Sequence, residues 1–352
     1  MANNSILFGI TANGEEVYEH IITNSNGMRA SIIDYGCAIK ELWVLDRKNN
    51  WRDVVLGFDS IKGYEKDHSS LGTCLGRHAN RLEKGILEID GRKYKLSKNC
   101  LGHHLHGGEK GFNKHVWKVH KKEDNLITFY RKSPDGEEGY PGNLDVYITY
   151  ELTDNNELKI HYKASADADT IVNLSNHSYF NLDGVNDNES IGELTINEHQ
   201  LQIFADKITE VDKHSNQTGE FLDVNNTLYD FRDKKIVGEC LETWKKELKP
   251  SHGYDINYVL NDEGYSKAAY LYSKQSGIEM TCYTDRPGMQ LYTGNYLFKK
   301  QGKYGDVYNS HAAICLETQG FPNSVKNTNF PSLILRKGKV YESCTSYIFG
   351  KR

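Results

Sequence analysis

Short runs of β-forming residues, separated by turn signals and scarcely anywhere by a helical period, constrain this chain more than any other feature of it. Residues 16–22, 28–33 and 38–44 read as short strands, with apolar and β-branched side chains over strand-like lengths. Residues 86–96 read as a hairpin, because Asp90-Gly91 supplies the positive φ of a tight turn. Residues 146–152 and 158–164 flank Asp154-Asn155-Asn156 as a second hairpin, and residues 270–273 and 278–284 flank a Lys-Gln-Ser-Gly turn as a third. One helical pattern stands out: Ile236, Cys240, Leu241, Trp244 and Leu248 share a face, and Pro250 ends it. The polar stretch 186–189 reads as the long loop. No internal repeat or Pro/Ser/Gly linker divides the chain. The expectation is an all-β protein with few short helices, its antiparallel sheets packed face to face in a single domain over residues 1–352.

Composition narrows the function. With 43 Lys and Arg against 48 Asp and Glu, the formal charge is -5, which argues against a general nucleic-acid surface. No run approaches the ~20 apolar residues of a membrane span, and the first residues lack a basic segment followed by an apolar one, so no secretory signal is expected. The seven cysteines are scattered and form no CxxC pair, which reads as reduced thiols in a cytoplasmic protein. The 23 tyrosines suit both half-buried strands and a carbohydrate surface.

Polar residues occupy alternating positions in three strand-like segments. In residues 170–182, Asn173, Ser175, His177, Tyr179 and Asn181 fall on one face, and Val172, Leu174, Asn176 and Ser178 on the other. Glu317 and Gln319 oppose Leu316, and Gln290 and Tyr292 oppose Met289 and Leu291. A solvated outer face is the ordinary explanation. These faces, however, favour neutral hydrogen-bonding groups over Lys and charged pairs, which points to a binding cleft. In residues 101–108, His104 and His106 share a face if the segment is extended, which invites a zinc reading. No carboxylate or Cys stands at ligand spacing nearby, so no metal is expected, and Gly107-Gly108 reads as close approach of a ligand to the backbone. Residues 76–85 are not a phosphate loop, because their glycines are too far apart and no GK[ST] follows.

Five segments then follow one another along nearly the whole chain: Gly76-Arg77-His78-Ala79-Asn80-Arg81, Leu105-His106-Gly107-Gly108, residues 176–182 (NHSYFNL), residues 287–295 (PGMQLYTGN) and residues 316–323 (LETQGFPN). The last is continued by Asn329-Phe330-Pro331, and Thr218-Gly219-Glu220 and Asp255-Ile256-Asn257 add to the set. Together they resemble the aldose 1-epimerase (galactose mutarotase) family. The resemblance implies a large antiparallel β-sandwich, the galactose-mutarotase-like supersandwich. It implies interconversion of the α and β anomers of free aldoses such as D-galactose and D-glucose, without a cofactor. By motif position it implies Glu317 as proton acceptor and His177 as proton donor, with His106 a second imidazole near the ring oxygen. Asn80, Arg81, His106, Tyr179, Asp255 and Gln290 would hold sugar hydroxyls. The implied partner is a small monosaccharide, with no nucleic acid and no membrane; nothing in the sequence chooses between a monomer and a homodimer.

The chemistry fits these residue types. Mutarotation removes a proton from the C1 hydroxyl while the ring oxygen gains one; the open aldehyde turns about C1–C2 and recloses. A carboxylate and an imidazolium suit the two transfers, each contributing roughly 10²–10⁴-fold. His177 must be protonated when sugar binds, and a neighbouring carboxylate favours that form. Arg81 offers a planar fork of donors, and Asp255 an acceptor.

Structural alternatives exist for each. Glu317 in an apolar-flanked strand can be half of a buried ion pair with Arg81. Asp255 can be a turn residue after Gly253, and Gln290 a core hydrogen-bonder. His78 stands where the family has an apolar or aromatic residue and is expected to alter the cleft edge, and His103-His104 adds a polar cluster; both bear on substrate preference more than on activity. Three rival functions remain. A hexose-6-phosphate 1-epimerase would need basic residues beyond Arg77 and Arg81. A glycosidase would use Glu317 and Asp255 as its carboxylate pair. A non-catalytic sugar-binding protein would have no need of both His177 and Glu317.

Overall fold

Asp90 and Gly91 take φ of 48° and 80° and close the expected hairpin, Ile86–Ile89 against Arg92–Lys95. The second hairpin pairs Leu144–Thr153 with Glu157–Ala166, and the third pairs Ser266–Ser273 with Ile278–Thr284. The computed structural model describes residues 5–185, 194–246 and 252–352; the loop expected at 186–189 and the helical positions Leu248 and Pro250 lie outside them. Helix Val237–Lys246 buries Val237, Leu241 and Trp244, as its period requires. A second helix, Ile61–Lys66, is capped by Ser60, whose hydroxyl accepts the Gly63 N–H. It buries only Ile61 and Tyr64, too few side chains to print a period on the sequence.

Among the described residues the strands gather into three large antiparallel sheets of six, nine and five strands, with small two-stranded pairs between them. The nine-stranded sheet is stitched at its centre by Val340–Lys351, which lies between Glu157–Ala166 and Ile278–Thr284. Leu144–Thr153 shows why sheets stack here: buried and half-buried residues alternate strictly along it, presenting one apolar face. That face, with Ile32 and Ile39 of the six-stranded sheet and Leu291 and Leu316 of the five-stranded one, belongs to one continuous apolar core. The architecture is the large antiparallel β-sandwich expected.

Residues 170–182 depart from the continuous strand expected. The chain there runs as Thr170–Ile171, Ser175–Asn176 and Phe180–Val185, paired in turn with Ile334–Leu335, Cys74–Leu75 and Trp51–Val55. The reason lies in its asparagines. Asn173 Nδ2 donates to the Ala79 and Gly320 carbonyls, Asn176 Nδ2 to Gly72 and Asn181 Nδ2 to Ala312. These side chains satisfy backbone groups that no strand ladder reaches, so the segment crosses between sheets instead of extending one.

Candidate active site

The five-stranded sheet supplies the acidic and amide groups. Its register sets Asn257 beside Gln290, Gln290 beside Glu317, and Asp255 beside Tyr292. Asp255, Gln290, Tyr292 and Glu317 therefore share one face, while Met289, Leu291 and Leu316 enter the core from the other. Gln290 Nε2 donates to Asp255 Oδ1 at 2.6 Å. Asp255 opens the strand Asp255–Val259 and is not a turn residue, and Gln290 faces the cleft rather than the core.

His177 arrives on the crossing segment. Its N–H donates to the Thr73 carbonyl at 2.9 Å and its carbonyl accepts the Gly72 N–H at 3.0 Å. Its ring stacks on Tyr179, centroids 4.8 Å apart and planes 7° from parallel. His177 Nε2 lies 3.6 Å from Glu317 Oε1. The third wall is the strand pair Arg81–Leu82 and His104–Leu105 with its flanks. Asn80 sits at φ 65°, and its Oδ1 accepts the Arg81 N–H at 2.8 Å. Asn80, Arg81, His106, His177, Tyr179, Asp255, Gln290 and Glu317 all line one cavity of about 570 Å³.

The tautomer of His106 follows from its neighbour. The Asn80 N–H donates to His106 Nδ1 at 3.1 Å, so Nδ1 holds a lone pair and the ring hydrogen is on Nε2. Burial pushes the His106 pKa well below its usual value, helped by the nearby His177 and Arg81 charges. It is a neutral hydrogen-bond donor. The ligand atoms of His106, His177 and Glu317 lie within 4.8 Å of one another. A cation there would meet a hydrogen on His106 Nε2, and ligation would cost the Asn80 bond, so the donor set fits a metal poorly. The His104/His106 pair raised by the sequence does not assemble: His104 bonds the Ser97 carbonyl at 2.8 Å and the Tyr140 hydroxyl, away from the cavity.

Burial governs the other two groups as well. It raises Glu317 well above the usual carboxylate range, with Asp255 adding to the rise and Arg81 opposing it. It lowers His177 to about 4, against the pull of Asp67 and Asp255. Glu317 Oε2 and His177 Nδ1 are buried with no hydrogen-bond partner. Arg81 is not the ion-pair partner of Glu317; its guanidinium stands 3.9 Å from Asp255 Oδ2 and tunes Glu317 through space.

Other expectations are corrected. His78 is fully buried and absent from the cavity wall, so it leaves the cleft edge unchanged. His103 does line the cavity, 6.1 Å from His214 by ring centroids. Gly107 is close to chain rather than ligand: a Cβ there would fall 1.7 Å from the Gly76 carbonyl oxygen. Tyr292, whose alternation with Leu291 sets it on the Gln290 face, adds to the site residues expected from the sequence: it lines the cavity and packs edge-on to His177 at 6.1 Å. Ser69, Ser70 and residues 211–215 also line the cavity, and no local pattern marks them.

The aldose 1-epimerase family model matches residues 18–348. Galactose mutarotase of Sus scrofa is 40% identical over 345 residues, covering 97% of each chain. The human galactose mutarotase is 39% identical over the same length and coverage. Aldose 1-epimerase of Escherichia coli is 32% identical over 332 residues, covering 93% of this chain and 94% of the other. Among solved structures, an aldose epimerase homologue from C. elegans superimposes with a TM-score of 0.86 at 30% identity, covering 95% of this chain and 99% of that one. With the family model spanning nearly the whole chain, and relatives this similar over their full length, the chain belongs to the aldose 1-epimerase family.

Proposed function

We propose that the chain is a mutarotase acting on free aldoses such as D-galactose and D-glucose, with Glu317 as base and His177 as acid. The observation that carries this reading is the buried Glu317–His177 pair, 3.6 Å apart at the cavity wall, with an unpartnered polar atom on each. The reacting form of the pair is carboxylate and imidazolium, a minor form beside the neutral pair that burial favours. Glu317 takes the C1 hydroxyl proton, His177 gives its proton to the ring oxygen, and the open aldehyde leaves both groups neutral. Burial favours neutral groups, so the proton transfers that discharge the reacting form run downhill, while reaching that form carries the cost of burial. Reclosure on the other face of C1 returns each proton to its origin. His106 Nε2–H, Arg81, Asn80, Asp255, Gln290 and Tyr179 orient the hydroxyls.

A monosaccharide occupies part of the cavity, and no cofactor enters the steps. The whole chain is read as one domain, since Val340–Lys351 closes the nine-stranded sheet begun by strands far earlier. All seven cysteines are unpaired, which suits a reducing cytoplasm; no helix among the described residues is long and apolar enough to cross a membrane. A phosphorylated substrate is disfavoured because Arg77 is buried, its guanidinium donating to Ser133, Pro134, Pro141 and Thr170.

Polarimetry of freshly dissolved α-galactose and α-glucose tests the proposal. Glu317→Gln should keep sugar affinity within about tenfold and lose the ~10²-fold or more that a general base supplies. Full activity in that variant, or turnover of glucose 6-phosphate in preference to free sugars, would overturn it.

A further inference from the structure

Off the cavity wall, beside the loop bonded to His177, lies a buried carboxylate that the mechanism above leaves unused. Asp67 ends the helix Ile61–Lys66, its N–H donating to the Tyr64 carbonyl. Its two oxygens accept the N–H groups of Ser69 and Leu71, each at 3.0 Å, which fixes the turn that follows. Lys300, more than two hundred residues further along the chain, pairs with Asp67 and also donates to Ser69 Oγ at 2.9 Å.

That turn holds His177 three ways. The Ser69 carbonyl accepts the Tyr179 hydroxyl at 2.8 Å, and the Tyr179 ring is the one stacked on the imidazole. Gly72 and Thr73, directly after it, make the two backbone bonds to His177. A displacement of the 67–73 segment would therefore reach the ring through both its backbone and its stacking partner. We propose that Asp67 and Lys300 are positioning residues for His177: their ion pair clamps the loop that orients the imidazole and sets the charge near it.

The inference rests on the reading of His177 as proton donor. Asp67 is the foremost of the charges that favour the imidazolium over the neutral ring, burial being the larger and opposing influence. Lys300 offsets that carboxylate. Glu317, Asp255, Arg81, His106, Tyr179 and Tyr292 face the same region from the other elements, and they stay constant in the variants below.

The two partners consequently have opposite signatures. Activity requires protonated His177 and is lost as pH rises through its pKa. Asp67→Asn leaves the Lys300 charge uncompensated, so the alkaline limb of kcat/KM should move to lower pH. Lys300→Met leaves the carboxylate uncompensated, so the limb should move to higher pH. Each shift is expected to be about 0.5 unit or more, given the size of effect that neighbouring charges exert. Lys300→Arg should restore the native limb. A clamp with no electrostatic link to His177 would lower kcat in both variants without moving the limbs apart. Limbs that stay put, or move the same way, overturn the proposal. If Asp67→Asn does not fold, the comparison of Lys300→Met with Lys300→Arg decides alone, an unmoved limb in Lys300→Met counting against it. A native protein without mutarotation would instead defeat the proposed function itself.

Discussion

Glu317 has 2% of its surface exposed, sits in an apolar-flanked strand and has one carboxylate oxygen without a partner. Such a group is expensive to ionise, and its raised pKa has a consequence for stability. In the unfolded chain the carboxyl ionises near the ordinary value of about 4.3. The folded state keeps the proton to higher pH, so it binds more protons than the unfolded state over the interval between the two values. Stability contributed by Glu317 is therefore full below the unfolded value and falls as pH rises toward the folded one. Glu317→Gln removes that dependence. Thermal unfolding should show the variant melting higher than the native protein at about pH 7.5, with the gap closing toward about pH 4. In a chain of this length each kcal/mol is worth about 1–2 °C. A variant that melts lower at neutral pH would show that the carboxylate is held by compensating bonds and is not an ionised liability. A higher-melting Glu317→Gln would show stability traded for the role proposed for this residue.

At the scale of elements, the site depends on loops that pack against each other. Gly107 and Gly91 make the point, because both take a left-handed φ, 92° and 80°, yet only one is crowded. A Cβ at Gly91 would meet nothing within 4 Å, whereas one at Gly107 would strike the Gly76 carbonyl at 1.7 Å. Gly91→Ala should cost only the roughly 1–2 kcal/mol of the left-handed conformation. Gly107→Ala adds a backbone clash beside His106, so it should destabilise by several kcal/mol more in chemical denaturation and lower kcat/KM as His106 shifts. Equal effects in the two variants would contradict the packing. The same contrast explains what the sequence made legible. Period-2 alternation placed Glu317 and Gln290 opposite Leu316 and Leu291 correctly, because a strand's side chains obey its pleat whatever surrounds it. Asp90-Gly91 declared its turn for the same local reason. Gly107 misled, since a glycine required by chain contact and one required by ligand contact look alike until the partner is known. The crossing segment 170–182 misled for a related reason: its asparagines bond carbonyls far away in sequence, and no local period records them. Asp67 and Lys300 meet across 233 positions and carried no signal at all.

At the scale of the whole molecule, three parts of the fold contribute separate walls: Glu317 and Gln290 from the five-stranded sheet, His177 from the crossing segment, Arg81 from the short strand pair and His106 just beyond it. Glu317 and His177, the proposed reacting pair, are enclosed where they meet, so bulk salt reaches them poorly. The molecule's net field is weakly negative, with a formal charge of -5. A free aldose carries no charge, so this field neither steers nor repels it, and the Debye length is irrelevant to its encounter. A hexose phosphate would instead approach against the field and rely on whatever cations the cleft provides, and Arg81 already faces Asp255. Raising salt from about 20 to about 300 mM should therefore leave kcat/KM for galactose unchanged within about twofold. Stopped-flow polarimetry across that range checks it. A steep fall with salt would contradict this and mean that partly exposed charge pairs at the cleft, Arg81 with Asp255 among them, hold the binding geometry; a flat response is the one expected where short hydrogen bonds within the cavity, and the geometry of its three walls, select the substrate.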